Sequence, residues 1–192
     1  GSISPSPSIF VEAGGNRQFA ITPDQFFHVA DVLVNQVSVG AVASYEFTNV
    51  TDDHEIEAVF APDLAANNTP HWWLHQQNPA WASDFDAAAL GNFDRDPFFT
   101  WQEYIADTNP LDPNSFMWLE LSKETDSVFN LRFPASPDRR YRLQRQVGGL
   151  DGPWIDVESN LPGQPDAGGI MTLQRTRGGQ AAEFYRVEVE VP

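Results

Sequence analysis

The sequence predicts a mainly β chain interrupted by one short helical segment. Apolar and polar residues alternate with period two across residues 9–60 and again across 116–192, the signature of half-buried strands. Between them, Thr69-Pro70 opens a stretch with helical spacing that Pro110 and Pro113 close. No apolar run approaches the ~18 residues a membrane-crossing helix needs.

The elements follow in order. Residues 1–8 (GSISPSPS) read as a linker behind the scar of a tag, so the chain is expected to be a piece of a longer protein. Strands are expected at Ile9–Glu12, Gln18–Thr22, Phe27–Asn35, Ser44–Val50 and His54–Phe60, with a Gly14-Gly15-Asn16 turn after the first and a break at Gly40. Residues 9–61 thus form a small antiparallel β-module. Residues 62–115 hold three short helices: one capped by Thr69 with Pro70 in its first turn, one capped by Ser83 and stopped by Gly91, and one entered at Thr100. Residues 116–192 return to β, with strands beginning near Phe116, Val128, Tyr141, Trp154, Ile170 and Glu183. That number of strands in so short a stretch predicts a β-sandwich.

Charge narrows the function. The chain carries a formal net charge of -16 and no cysteine. Residues 1–114 hold sixteen acidic and two basic residues; residues 115–192 hold eleven acidic and nine basic. Such a field repels phosphate backbones and attracts divalent cations, so nucleic acid is not an expected partner. Without cysteine, no disulfide can staple the modules, and a metal could do so instead.

Asn92–Glu103 is the one stretch that reads as a binding motif. Asn92, Asp94, Asp96, Thr100 and Glu103 place side-chain oxygens at positions 1, 3, 5, 9 and 12, and Phe98 offers its carbonyl at position 7. Calcium takes six to eight hard oxygens at this spacing. Pro97 stands at the sixth position, where a sharp turn usually needs glycine, and Asn92 lacks the charge usual at the first. Two readings stay open: a distorted site for one calcium ion, or a metal-free loop held by Phe93, Phe98 and Phe99. Asp107, Asn109 and Asp112 could feed a second ion, but Asn-Pro and Asp-Pro turns need none.

Other constellations are weaker. His71 and His75 have zinc spacing on a helix but no third ligand, so an ordinary helix face is expected. Trp72, Trp73 and Trp81, with Arg140 and Arg142, could contact a polysaccharide; core packing and cross-strand ion pairs are the competing readings. Asn49-Val50-Thr51 and Asn67-Asn68-Thr69 are glycosylation sequons by pattern. No nucleophile elbow, phosphate loop or catalytic cysteine appears, and the chain is not expected to be an enzyme.

Three resemblances add to this reading. ITPDQFFHVADVLVNQVSVGAVASYEFTNVTDDHEIEAVFAP resembles a small β-repeat of secreted bacterial proteins; Gln36 stands where that repeat has glycine, so the turn after Asn35 is expected to differ. Residues 69–115, above all QEYIADTNPLDPNS, are similar to calcium segments related to dockerin and thrombospondin type 3 loops. Arg95 and Pro97 replace the two loop glycines there, and Asp107 a third. Tyr141, Leu143, Leu150, Trp154, Phe184, Tyr185 and Val187 carry a likeness to fibronectin type III and immunoglobulin-like sandwiches. Together they imply a monomeric, secreted bacterial accessory region, stiffened by calcium, that spaces or orients an attached carbohydrate-active catalytic domain. The alternative is a carbohydrate-binding module for an anionic or neutral polysaccharide; a surface-attachment or protein-interaction module ranks below both.

Overall fold

Period-two alternation becomes a mainly β structure built from small antiparallel sheets. The computed structural model describes residues 1–146, 151–176 and 183–192. It divides into two units, Gly1–Phe85 and Asp86–Pro192, so the helical stretch is parted between them.

In the first unit, strands β1 (Ser2–Ser4), β2 (Gly15–Thr22) and β5 (Ser44–Val50) form one sheet in the order β1-β2-β5. Strands β3 (Phe27–Val34), β4 (Val37–Ser38) and β6 (Ile56–Pro62) form another in the order β4-β3-β6. The strand expected at Ile9–Glu12 is not there. Ser2–Ser4 takes the free edge of β2 instead, and Phe10 is 89% exposed. In β3 the pairing slips between Val29 and Asp31, and Val32 is the residue of this strand that is fully buried. The β3–β4 hairpin turns through Asn35 (φ 48) and Gln36 (φ 66), both left-handed. Two positive φ values match the right-handed twist of the flanking strands. The turn survives without its glycine because the Asn35 side chain ties it down, accepting from Glu55 N–H at 2.9 Å and pairing with His54 Nδ1 at 3.0 Å.

A two-residue pair, β7 (Leu64–Ala65) with β8 (Thr69–Pro70), leads into α1 (His71–Gln77). Pro70, not Thr69, occupies the cap, because Thr69 is spent in that pair and donates its hydroxyl to Ala66. Trp73 and Leu74 bury the inner side of α1. Pro79–Ser83 forms a tighter 3-10 turn, so α2 begins at Phe85 rather than after Ser83, and runs to Ala89.

The second unit continues with α3 (Thr100–Ala106) and six strands: β9 (Glu120–Lys123), β10 (Val128–Pro134), β11 (Arg140–Gln146), β12 (Trp154–Pro162), β13 (Ile170–Thr176) and β14 (Phe184–Glu190). The strand expected from Phe116 starts only at Glu120. Two three-stranded sheets, β13-β10-β9 and β12-β11-β14, form the sandwich. Phe129, Leu131 and Phe133 alternate inward from β10, and Tyr141 and Leu143 from β11, to join the two faces. Leu150, one residue of the C-terminal resemblance, lies outside the described residues.

Candidate metal centre

The loop before α3 is built by short side chains that bond their own backbone, the habit of Asn and Asp in turns. Asn92 Oδ1 accepts from Arg95 N–H, and Asn92 Nδ2 donates to the Asp96 carbonyl, each at 2.7 Å. Asp94 Oδ1 accepts from Asp96 N–H at 3.2 Å, and Asp96 Oδ1 from Phe98 N–H at 2.7 Å. The left-handed residue is Arg95, at φ 70. The sharp turn therefore comes two residues before Pro97, and proline at the sixth position does not unmake the loop. Asn92 acts here as a brace.

The helix is then set on the loop. Phe99 N–H donates to the Gln102 side chain at 2.9 Å. Thr100, fully buried, sends both its amide (2.8 Å) and its hydroxyl (3.2 Å) to the Gly91 carbonyl, closing the loop on itself. Phe98 turns its ring toward Phe116, with centroids 6.4 Å apart.

Glu103, one turn into α3, is 1% exposed. Carboxylate oxygens of Asp94, Asp96 and Glu103 lie within 4.8 Å of one another, and this is the only such cluster of potential ligands among the described residues. In each of the three, one oxygen serves a hydrogen bond and the other, Oδ2 or Oε2, is buried without a partner. Burial, and then the negative charges of Asp94 and Asp96, push the Glu103 carboxyl up to about 8, against the pull of the Thr108 hydroxyl. Each charge pair at this spacing costs roughly 3 kcal/mol at an effective dielectric near 20. Three orphaned oxygens with no soft donor beside them are the chemistry of a hard divalent cation. Asp94, Asp96 and Glu103 are the residues that could hold such an ion; of the other residues in the ligand spacing, Thr100 spends its hydroxyl on the Gly91 carbonyl and Asn92 braces the loop.

The remaining candidates go elsewhere. Asn109 and Asp112 spend their side chains on the turns around Pro110 and Pro113, accepting from Leu111 and Asn114 amides. Asp107 faces Arg139 and Ser136. His71 stacks on Phe85 at 4.2 Å, and His75 lies 4.9 Å from Phe26, which makes both parts of an aromatic cluster. Trp73 and Trp81 are buried, so neither face is open for stacking a sugar; Trp72 is 38% exposed. Arg142 pairs with Glu188 and Glu190, and Arg140 stands opposite Glu190 in the β11–β14 register. Arg145, Arg175 and Arg186 likewise meet Glu183, Glu158 and Glu188. Among the described residues, Arg142, Arg145, Arg175 and Arg186 are thus paired with glutamates rather than gathered as a free basic patch.

Two residues that matter at this site stand outside the ligand spacing, although Thr108 lies within QEYIADTNPLDPNS. Thr108 closes over Glu103, and Arg139 grips the end of α3; only the folded chain brings Arg139 there. Comparison with protein-family models, curated proteins and solved structures finds no match to the chain.

Proposed function

We propose that this chain is a non-catalytic, calcium-stabilised accessory region that spaces or orients the catalytic domain of a secreted bacterial carbohydrate-active enzyme. The observation that carries the calcium part is the trio of buried, partnerless oxygens on Asp94, Asp96 and Glu103. Burying several negative charges without compensation is costly, and a bound divalent cation removes that cost. The accessory role rests on the resemblances of the β-repeat and the sandwich. Paired arginines and buried Trp73 and Trp81 weigh against the carbohydrate-binding alternative.

The test has two arms on the full chain. Calorimetric titration with calcium should give one site, and melting in calcium should exceed melting in EDTA; at a hundred times Kd the gain is about 2.7 kcal/mol. A glycan array should stay flat. Specific retention on one polysaccharide would overturn the accessory reading in favour of a carbohydrate-binding module, and equal melting in calcium and EDTA would remove the metal.

A further inference from the structure

Glu103 belongs to two structures at once. Its carboxylate enters the acidic cluster, while its main-chain carbonyl accepts from the amides of Asp107 and Thr108, the latter at 3.0 Å, and so ends α3. Asp107 caps the helix in the left-handed region (φ 59). A non-glycine residue held there is unfavourable unless its side chain is used. It is used: one oxygen of Asp107 accepts from the Ser136 hydroxyl, and the other lies 3.5 Å from Arg139 Nη2.

Arg139 completes the grip. It is buried, and its guanidinium donates to the last carbonyls of α3, to Tyr104 at 2.6 Å and to Ile105 at 2.8 Å, besides its own neighbour Asp138 at 3.0 Å. Its carbon Cζ lies 5.5 Å from the centre of the Tyr104 ring. A cation on the carbonyl end of a helix satisfies orphan acceptors and opposes the negative end of the dipole. The Ser136–Arg139 turn that carries these groups is itself locked to the sandwich core. Ser136 N–H donates to the buried Tyr141 hydroxyl at 2.7 Å, and Gly163 packs so closely on the Ser136 carbonyl that a Cβ there would sit 1.8 Å from it.

Resting on the calcium reading above, we infer that Asp107 and Arg139 couple the metal loop to the C-terminal sandwich, so that calcium stabilises β10 and β11 as well as the loop. α3 is the lever: its first turn supplies Glu103, and its last turn is held by Arg139. A helix of seven residues has little stability of its own, so both attachments decide whether it is formed. Ordering one end favours the other through that shared element.

The experiment is hydrogen exchange on the full chain, with and without calcium, for wild type and Asp107→Gly. Glycine keeps the left-handed cap while deleting both contacts to the sandwich turn. In wild type, calcium at a hundred times Kd should slow exchange in α3 and at Leu131, Tyr141 and Leu143 by comparable factors, up to about 100-fold. In Asp107→Gly the α3 protection should persist and the β10 and β11 protection should fall at least tenfold. Arg139→Lys, which keeps the charge but not the fork, should act in the same direction. Calcium binding that leaves wild-type β10 and β11 unchanged would overturn the coupling alone, as would undiminished strand protection in Asp107→Gly. Absence of calcium binding by titration would overturn the metal reading, and the coupling with it.

Discussion

Thr108 closes over Glu103: its amide donates to the Glu103 carbonyl at 3.0 Å and its hydroxyl points to the Glu103 carboxylate at 3.4 Å. That leaves Glu103 Oε2 facing the acidic cluster with no donor. Glu103→Gln places an amide N–H₂ among the orphaned oxygens of Asp94 and Asp96. Such a donor relieves the repulsion but cannot ligate a cation. In EDTA at pH 8 the variant should melt above wild type; in saturating calcium the order should reverse. Differential scanning calorimetry in both buffers checks the crossover.

The acidity of Glu103 sets a pH dependence for the metal-free protein. Its carboxyl titrates near 4.5 when unfolded and is pushed up to about 8 in the fold. The folded state therefore binds the proton more tightly, so the contribution of Glu103 to stability is full below about 4.5 and is lost as pH rises through 8, by on the order of a few kcal/mol. Calcium should flatten this trend, because it replaces the proton as the compensating charge. Urea midpoints from pH 5 to pH 9, with EDTA and with calcium, test both slopes.

In the β3–β4 hairpin, Gln36 sits at φ 66 where no side chain is needed. Gln36→Gly should stabilise the first unit by about 0.5 kcal/mol, since left-handed backbone is strained for a residue with a Cβ. Gln36→Val should destabilise it by at least as much. Urea denaturation followed by tryptophan fluorescence reads both.

Gly163 faces the Ser136 carbonyl so closely that even a methyl group has no room; the obstacle is backbone and cannot swing aside. Gly163→Ala should cost about 3 kcal/mol by forcing the turn away from Tyr141. Gly168→Ala, in an exposed loop, is the control and should change stability by less than about 1 kcal/mol.

Within α1 the two adjacent tryptophans divide by role. Trp73 is 5% exposed, so Trp73→Ala should cost about 3 kcal/mol or more through the cavity it leaves. Trp72→Ala, at an exposed position, should cost less than about 1 kcal/mol. Thermal melts of the two variants separate them.

Much of the architecture was legible because strand alternation is local. Ile56, Ala58 and Phe60 share a face, and Phe129, Leu131 and Phe133 point into the sandwich, as period two requires. The acidic trio was legible too, since its spacing along the chain is what gathers Asp94, Asp96 and Glu103. The first strand was misplaced because the edge of β2 is open to any extended segment that reaches it. Ser2–Ser4 wins although Ile9–Glu12 has the stronger strand composition.

By itself the sequence determined a mainly β chain with an acidic, oxygen-rich loop at the head of a short helix, because periodicity and ligand spacing act over a dozen residues or fewer. It also pointed to glycine-dependent turns that its own side chains then replaced: Arg95, Asn35 with Gln36, and Asp107 all take left-handed backbone. Folding in three dimensions decided that Arg142 faces Glu188 and Glu190 and that Arg139 reaches Tyr104 and Ile105. Those contacts join residues far apart in the chain, and no local pattern encodes a partner that only strand pairing or the docking of a helix brings within hydrogen-bond distance.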